Sequence, residues 1–286
     1  MFRLWCVLIG YALGLVSTAY IVGKVHGIDI REHGSGNAGT TNTLRVLGRR
    51  AGAIVLAGDV CKCLVAVFVC WLIFHKMEGY DSYKYLIRIY ASAGTILGHN
   101  YPFYLKFHGG KGMACFVGMA IAFLYFPIYP GQIILFFAIF LLTHYVSLGS
   151  IFFGLGFFAQ VVIFGTFGFF GLQPAELIEL YAVVGALALL LIFQHRSNIV
   201  KLINHTEKKT YLGKRREKPE LRQEEEERAA EEARKAAEAK EQEDEEDKAK
   251  DSEEEPVIGE EDKTLKLSEE DLEEIKKSTS KEEETK

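Results

Sequence analysis

The sequence predicts an all-α membrane protein, a seven-helix transmembrane bundle followed by a charged tail, on three observations. Apolar runs recur from residue 3 to residue 194, separated by short polar segments. Basic residues gather in alternate loops between those runs. Charge then divides the chain: residues 1–205 hold 14 Lys and Arg against 7 Asp and Glu, a formal +7, while residues 206–286 hold 19 against 31, a formal −12. A soluble protein with buried core helices does not accumulate so many consecutive long apolar runs. The last part has too few apolar residues to bury a core of its own.

A bilayer span needs about 20 residues, with a usual range of about 17–25. Seven runs are candidates: about 3–23, 51–74, 83–98, 112–127, 131–146, 149–169 and 177–194. The first is too long, and too directly followed by a polar loop, for a cleaved leader. The third and fourth are short, and the third carries Arg88. The fifth and sixth are separated only by residues 144–150, so they form a tight pair. Cytoplasmic loops carry the excess of Lys and Arg. Lys24, Arg31, Arg45, Arg49 and Arg50 lie in the loop at 24–50, and Lys106 and Lys111 in the loop at 98–111. The opposite loops at 128–130 and 170–176 have none, and that at 75–82 has only Lys76 among Lys and Arg. The expected orientation is therefore an outside N-terminus and a cytoplasmic tail, with the polar motifs on the cytoplasmic face. The localisation that follows is the cell (inner or plasma) membrane, multi-pass.

Two domains are expected: a transmembrane unit at 1–208 and a tail at 209–286. Within the tail, about 217–250 reads as a solvated helix rich in Glu, Ala, Lys and Arg, and 267–277 as a short helix capped by Ser268. The rest is expected to be disordered, and its partner is not legible in the sequence. Cys6, Cys61, Cys63, Cys70 and Cys115 lie in or at apolar runs with no histidine at zinc-site spacing, so neither a disulfide nor a metal site is expected.

The chemistry is concentrated in three polar stretches. The first, Gly34-Ser-Gly-Asn-Ala-Gly-Thr-Thr-Asn42, leads to Arg45. It matches G-x-G-x-x-G at Gly34, Gly36 and Gly39, yet a dinucleotide fingerprint needs a preceding strand, and here an apolar helix precedes it. What remains is a glycine turn feeding a helix near Thr40 or Thr41, whose N–H groups, with Ser35, suit a phosphate. The second stretch runs from Gly98, His99 and Asn100 to Gly109, Gly110, Lys111 and Gly112. A glycine-flanked lysine at a helix start suits an anion, although the upstream spacing is not that of a Walker A loop. The third is His195-Arg-Ser-Asn198, where the last span emerges. His195, Arg196 and Asn198 fall within one helical turn and read either as an interfacial basic anchor or as groups that bind and orient a hydroxyl. Between these stretches, Asp59 and Lys62 share a helix face inside the second span, as a structural ion pair or an anion contact. Ser147 and Ser150 mark the turn between the fifth and sixth spans.

In order and spacing, the three stretches resemble the signature motifs of the PlsY family, the bacterial acyl-phosphate:glycerol-3-phosphate acyltransferases. The resemblance covers about residues 1–208 and takes in Asp59, Lys62 and the turn at 146–150. It implies transfer of a fatty acyl group from acyl phosphate to the 1-hydroxyl of sn-glycerol 3-phosphate, giving lysophosphatidic acid and phosphate, the first acylation of phospholipid synthesis. It also implies catalytic roles for His195, Asn198, Lys111, Arg45 and Ser35. Gly34, Gly36, Asn37, Gly39, Thr41, Asn42, Lys62, His99, Asn100, Gly109, Gly110, Gly112, Ser147, Ser150 and Arg196 would then hold the substrates. No cofactor and no metal are expected. The partners are the two substrates and membrane lipid, with no nucleic acid. The chain departs from the family pattern at Thr40, Cys63, Cys115, His144 and His205.

The residues suit that chemistry independently. Acyl phosphate is a mixed anhydride, so no acyl-enzyme is demanded; the protein must hold two phosphate-bearing molecules together and align a hydroxyl on a carbonyl carbon. Arg45, Lys111 and Arg196 would offset the phosphate charge and the developing oxyanion. With no strongly placed carboxylate base evident, a substrate phosphate is expected to help accept the hydroxyl proton. Acyltransferases that pair His with Asp five residues on are excluded, because none of the eight histidines has that partner. A phosphotransferase with clustered metal-binding aspartates is excluded by a body holding only Asp29, Asp59 and Asp81. The alternative is a transporter for a phosphorylated solute, against which stands the confinement of the polar motifs to one face rather than the midplane.

Overall fold

The protein is seen in a computed structural model that describes residues 1–123 and 128–211. The tail helices expected at about 217–250 and 267–277 lie outside the described residues. Among the described residues the regular structure is helical throughout. Helices α1 (Phe2–Gly14) and α2 (Thr18–Val25) are followed by α3 (Thr40–Leu47), α4 (Arg49–Phe74) and α5 (Tyr80–Asn100). Then come α6 (Met113–Ala122), α7 (Ile128–Thr143), α8 (Val146–Thr166), α9 (Pro174–Gln194) and α10 (Arg196–Ile203). Among the described residues four segments are long and apolar enough to cross a membrane: Phe2–Val25, Arg49–Phe74, Val146–Thr166 and Pro174–Gln194.

The first expected span is two helices rather than one. The chain is extended at Ser17, and the break leaves the Val16 carbonyl without a helical partner. Lys62 fills that gap, its Nζ donating to Val16 O at 2.9 Å. The same ammonium lies 2.8 Å from Asp59 Oδ1 and 2.8 Å from His99 Nδ1. Thr18 Oγ1 donates to Asp59 at 3.2 Å. Irregular backbone inside a membrane protein survives where protein groups satisfy it, and here the Lys62 ammonium supplies the donor that the break lacks.

Helix α5 is the centre of the bundle and packs against α1, α4, α6 and α9. It buries Leu86, Ile87, Ile89, Ala91 and Ile96. The crossing with α1 is very close. A methyl group added at Gly10 would lie 2.1 Å from the Ala91 carbonyl oxygen, and one at Gly94 would lie 2.2 Å from that of Val7. Gly14 and Gly98 repeat the contact one turn along, so each helix offers a pair of glycines four residues apart. Small residues at this spacing let backbones touch, the usual means of helix association where lipid removes the hydrophobic drive. At the α9 end remote from His195, Arg3 of α1 pairs with Glu179, which also accepts from Tyr90 of α5 at 2.7 Å.

The turn between α7 and α8 is shorter than the 144–150 read from sequence: only His144 and Tyr145 separate the helices. His144 adopts a φ of 62° to make it. Ser147 therefore lies in the first turn of α8, and Ser150 donates back to the Val146 carbonyl at 2.8 Å.

Candidate active site

The loop after α2 is shaped by Asn42. Its amide nitrogen donates to Ile30 O at 3.0 Å and His33 O at 2.9 Å, and its oxygen accepts from the Ser35 backbone at 2.8 Å. Those three bonds fold the chain back on itself and leave Ser35 exposed at the tip. Gly34 and Gly36 take positive φ, 64° and 71°, which a side chain would strain. Gly39 caps α3, with Asn37 against it and Thr41 in the first turn. The first N–H groups of α3 thus point out of the helix beside Ser35, the disposition that receives an anion. Arg45 follows just over one turn later.

The second loop rests on the end of α5. Gly109 and Gly110 donate to the carbonyls of Asn100 and His99, each at 3.1 Å. A methyl at Gly110 would meet His99 Nε2 at 2.1 Å and the Ala38 carbonyl at 2.8 Å. The first and second loops therefore touch through Gly110 and Ala38, and glycine is what permits it. Gly112 caps α6, and the buried Asn100 amide lies against it. The His99 ring is sandwiched between this loop and Lys62, which carries the loop's support down to the Asp59 pair. His99, Asn100 and Lys62 lie beneath the loop rather than at its surface.

Lys111 is the link to the third stretch: its ammonium hydrogen-bonds Asn198 Oδ1. Asn198 Nδ2 donates in turn to Glu207 Oε1 at 2.8 Å, and Ser147 Oγ donates to the same oxygen at 3.2 Å. Arg45 reaches this side as well, its Nη2 donating to the Lys208 carbonyl and to Thr210 Oγ1, both at 3.0 Å. Residues from four separate parts of the chain thus form one ring: Arg45, Lys111, Ser147 and Asn198, closed by the segment after α10. Burial lowers the Lys111 pKa; Glu207 opposes that, and Lys201, Arg45 and Arg196 lower it further. An excess of cations is the environment a dianionic ligand relieves.

His195 is buried at the junction of α9 and α10. Its Nδ1 lies 2.8 Å from the Leu191 carbonyl. A carbonyl only accepts, so Nδ1 carries the hydrogen and Nε2 keeps its lone pair. Burial holds the imidazole pKa down to about 4, the Leu191 bond working against this and Lys111 adding to it. The ring is neutral at neutral pH. It can accept a hydrogen bond from a hydroxyl at Nε2 but is a weak final proton acceptor. Arg196 faces outward, its guanidinium 4.5 Å over the Phe193 ring.

Two members of the ring, Glu207 and Thr210, were not among the candidates read from sequence. Glu207 had a signal: it is the single carboxylate between Glu179 and Glu217, set in a basic stretch. Thr210 had none, because only the return of the chain brings it to Arg45. Among the described residues no group of three or more His, Cys, Asp or Glu is placed to hold a metal ion.

The glycerol-3-phosphate acyltransferase family model matches residues 4–205. A glycerol-3-phosphate acyltransferase of Clostridioides difficile is 37% identical over 219 residues, covering 73% of this chain and 95% of that protein. One of Bacillus subtilis is 36% identical over 205 residues, covering 71% and 95%. The crystal structure of PlsY, an integral membrane glycerol 3-phosphate acyltransferase, in its glycerol 3-phosphate form superposes with a TM-score of 0.61. It is 30% identical, with 73% of this chain and 96% of that chain covered. A lysophosphatidic acid form of PlsY gives a TM-score of 0.59. This chain belongs to the glycerol-3-phosphate acyltransferase family.

Proposed function

We propose that this protein transfers a fatty acyl group from acyl phosphate to the 1-hydroxyl of sn-glycerol 3-phosphate, giving lysophosphatidic acid and phosphate. The observation that carries the reading is the contact of Lys111 with Asn198. It joins the glycine loop to the histidine stretch and sets a cationic cluster beside a neutral imidazole. Glycerol 3-phosphate enters from water, and Arg45, exposed at the rim with Ser35 and the α3 N-terminus, takes its phosphate. Lys111, beside Gly112 at the start of α6 and on the loop that Gly109 and Gly110 anchor to α5, takes the acyl phosphate. His195 Nε2 and Asn198 orient the hydroxyl.

The hydroxyl oxygen attacks the acyl carbonyl carbon, and Lys111 offsets the negative charge that develops on the carbonyl oxygen. Collapse breaks the carbon–oxygen bond to phosphate, which leaves with the bonding pair. The hydroxyl proton goes to a phosphate oxygen, since an imidazole titrating near pH 4 does not retain it. No acyl-enzyme forms. Seven spans with an outside N-terminus would put the site on the cytoplasmic face of the cell membrane, with residues 1–208 as the acyltransferase unit. A carrier for a phosphorylated solute is not favoured, because the relatives are acyltransferases.

Incubation of purified protein with hexadecanoyl phosphate and radiolabelled glycerol 3-phosphate tests the reading. Labelled lysophosphatidate is expected, and none from hexadecanoyl-CoA. Absence of product from the acyl phosphate would end the proposal.

A further inference from the structure

Beyond α10 the described chain turns back across the site. At its start Glu207 accepts from Asn198 and Ser147. At its end the Thr210 backbone donates to the His144 carbonyl at 2.9 Å, and the Tyr211 ring lies 4.6 Å from the His144 ring. Lys209 sits over Tyr145, with Nζ 5.7 Å from the ring centre. Residues 207–211 are thus pinned along the turn between α7 and α8. Thr210 is 9% exposed although it borders the charged tail.

What this strap presents to the site is a pair of acceptors for one nitrogen. The Lys208 carbonyl and the Thr210 hydroxyl both accept from Arg45 Nη2 at 3.0 Å, and that nitrogen has two hydrogens to give. An exposed arginine otherwise samples many rotamers and loses that freedom when it grips a ligand. Fixing it beforehand lowers the cost of binding. We propose that Thr210 is a positioning residue: its hydroxyl, with the Lys208 carbonyl, holds the Arg45 guanidinium so that its other N–H groups meet the phosphate of glycerol 3-phosphate. The clasp of Tyr211 on His144 keeps Thr210 in place. This rests on the phosphate-binding role proposed above for Arg45, and it adds a residue from the segment between the helical body and the tail.

The test is steady-state kinetics of the full chain with hexadecanoyl phosphate as donor. Thr210→Val keeps the shape and removes the hydroxyl. It is expected to raise KM for glycerol 3-phosphate about fivefold, the scale of one ordinary net hydrogen bond at an exposed site, with kcat and the donor KM within about twofold. Thr210→Ser is expected to restore the wild-type KM, which a packing role for the threonine methyl would not predict. In an Arg45→Lys background the Thr210→Val change is expected to have no further effect, because the bonded nitrogen is gone. Should Thr210→Val not fold, Tyr211→Ala loosens the clasp and is expected to shift the same KM in the same direction. A wild-type KM in folded Thr210→Val, a Thr210→Ser variant as impaired as the valine, or, if the valine variant does not fold, an unchanged KM in Tyr211→Ala would each overturn the inference. Arg45→Ala separates the two ideas: full activity in that variant removes the role of Arg45 itself, whereas lost activity beside a normal Thr210→Val removes only Thr210.

Discussion

At the scale of single residues the site is governed by which hydrogen bonds are already taken. His195 has used Nδ1 on Leu191, so its one remaining function is to accept at Nε2. Its depressed pKa has a measurable consequence. An unfolded chain takes up the histidine proton near pH 6.5, the native state only near pH 4. Between those values the unfolded state binds the extra proton, so the stability that His195 permits is complete above about pH 6.5 and is lost as pH falls. The melting temperature of the purified protein should decline between pH 6.5 and 4.5, and His195→Gln should flatten part of that decline. Parallel profiles for the two proteins would show that the histidine is not held neutral by burial. Asn42 shows the same economy: every polar atom of its side chain is bound within the loop. Its contribution to phosphate binding, as we propose it, is to shape the loop that offers Ser35.

At the scale of elements two features decide how the helices meet. The glycine pairs of α1 and α5 set the closest crossing in the bundle, and Gly94→Leu would drive a side chain into the Val7 carbonyl. We expect Gly94→Leu to abolish folded protein in detergent extracts, as read by size-exclusion chromatography, and Gly27→Ala, which meets no atom within 4 Å but sits at a φ of 76°, to leave folded protein that is less stable by about 1–2 kcal/mol. The second feature is the buried pair of Asp59 and Lys62, 1% and 6% exposed at their side chains. Removing one partner leaves an uncompensated charge, a loss of about 3–5 kcal/mol. Asp59→Ala should therefore be severely destabilised, and the double change Asp59→Leu with Lys62→Met should recover much of the loss in a thermal melt. Equal damage in the single and double variants would mean that the bonds of Lys62 to Val16 and His99 weigh as much as its pairing with Asp59. The run that became α5, 83–98 in the sequence, was short and carried Arg88. A helix enclosed by four others need not be apolar on every face, since its neighbours rather than lipid cover it.

At the scale of the whole molecule, the relatives are covered almost end to end by about 73% of this chain, and the family match ends at residue 205. Among the described residues, Arg45, Lys111, Ser147 and Asn198 are joined by hydrogen bonds that use nothing beyond Thr210. Truncation after Gly213 should leave kcat and both KM values within about twofold of the full chain, measured in detergent on monodisperse protein. Truncation after Asn204 removes the strap as well and should abolish activity. A well-folded protein ending at Gly213 but without turnover would show that the charged tail takes part in the reaction.

Much of this was legible in the sequence by itself. Runs of apolar residues announce membrane helices because burial in lipid demands them over a fixed length. Clustered glycines, amides and cations announce anion binding because few other residue types can do it. Those local rules read Gly34 to Arg45 and Gly109 to Gly112 as anion-binding stretches; at His195 to Asn198 they left an interfacial anchor and a hydroxyl-orienting group both open, and the family resemblance supplied the roles. The break at Val16, the glycine crossing of α1 and α5, and the return of Glu207 and Thr210 to the site are different in kind. Each exists only when residues far apart in the chain meet: Lys62 with Val16, Gly94 with Val7, Arg45 with Thr210. Side-chain chemistry sets what a residue can bind, and this is written in its identity. Which partner it finds depends on how the helices pack, and that was decided by the tertiary structure alone.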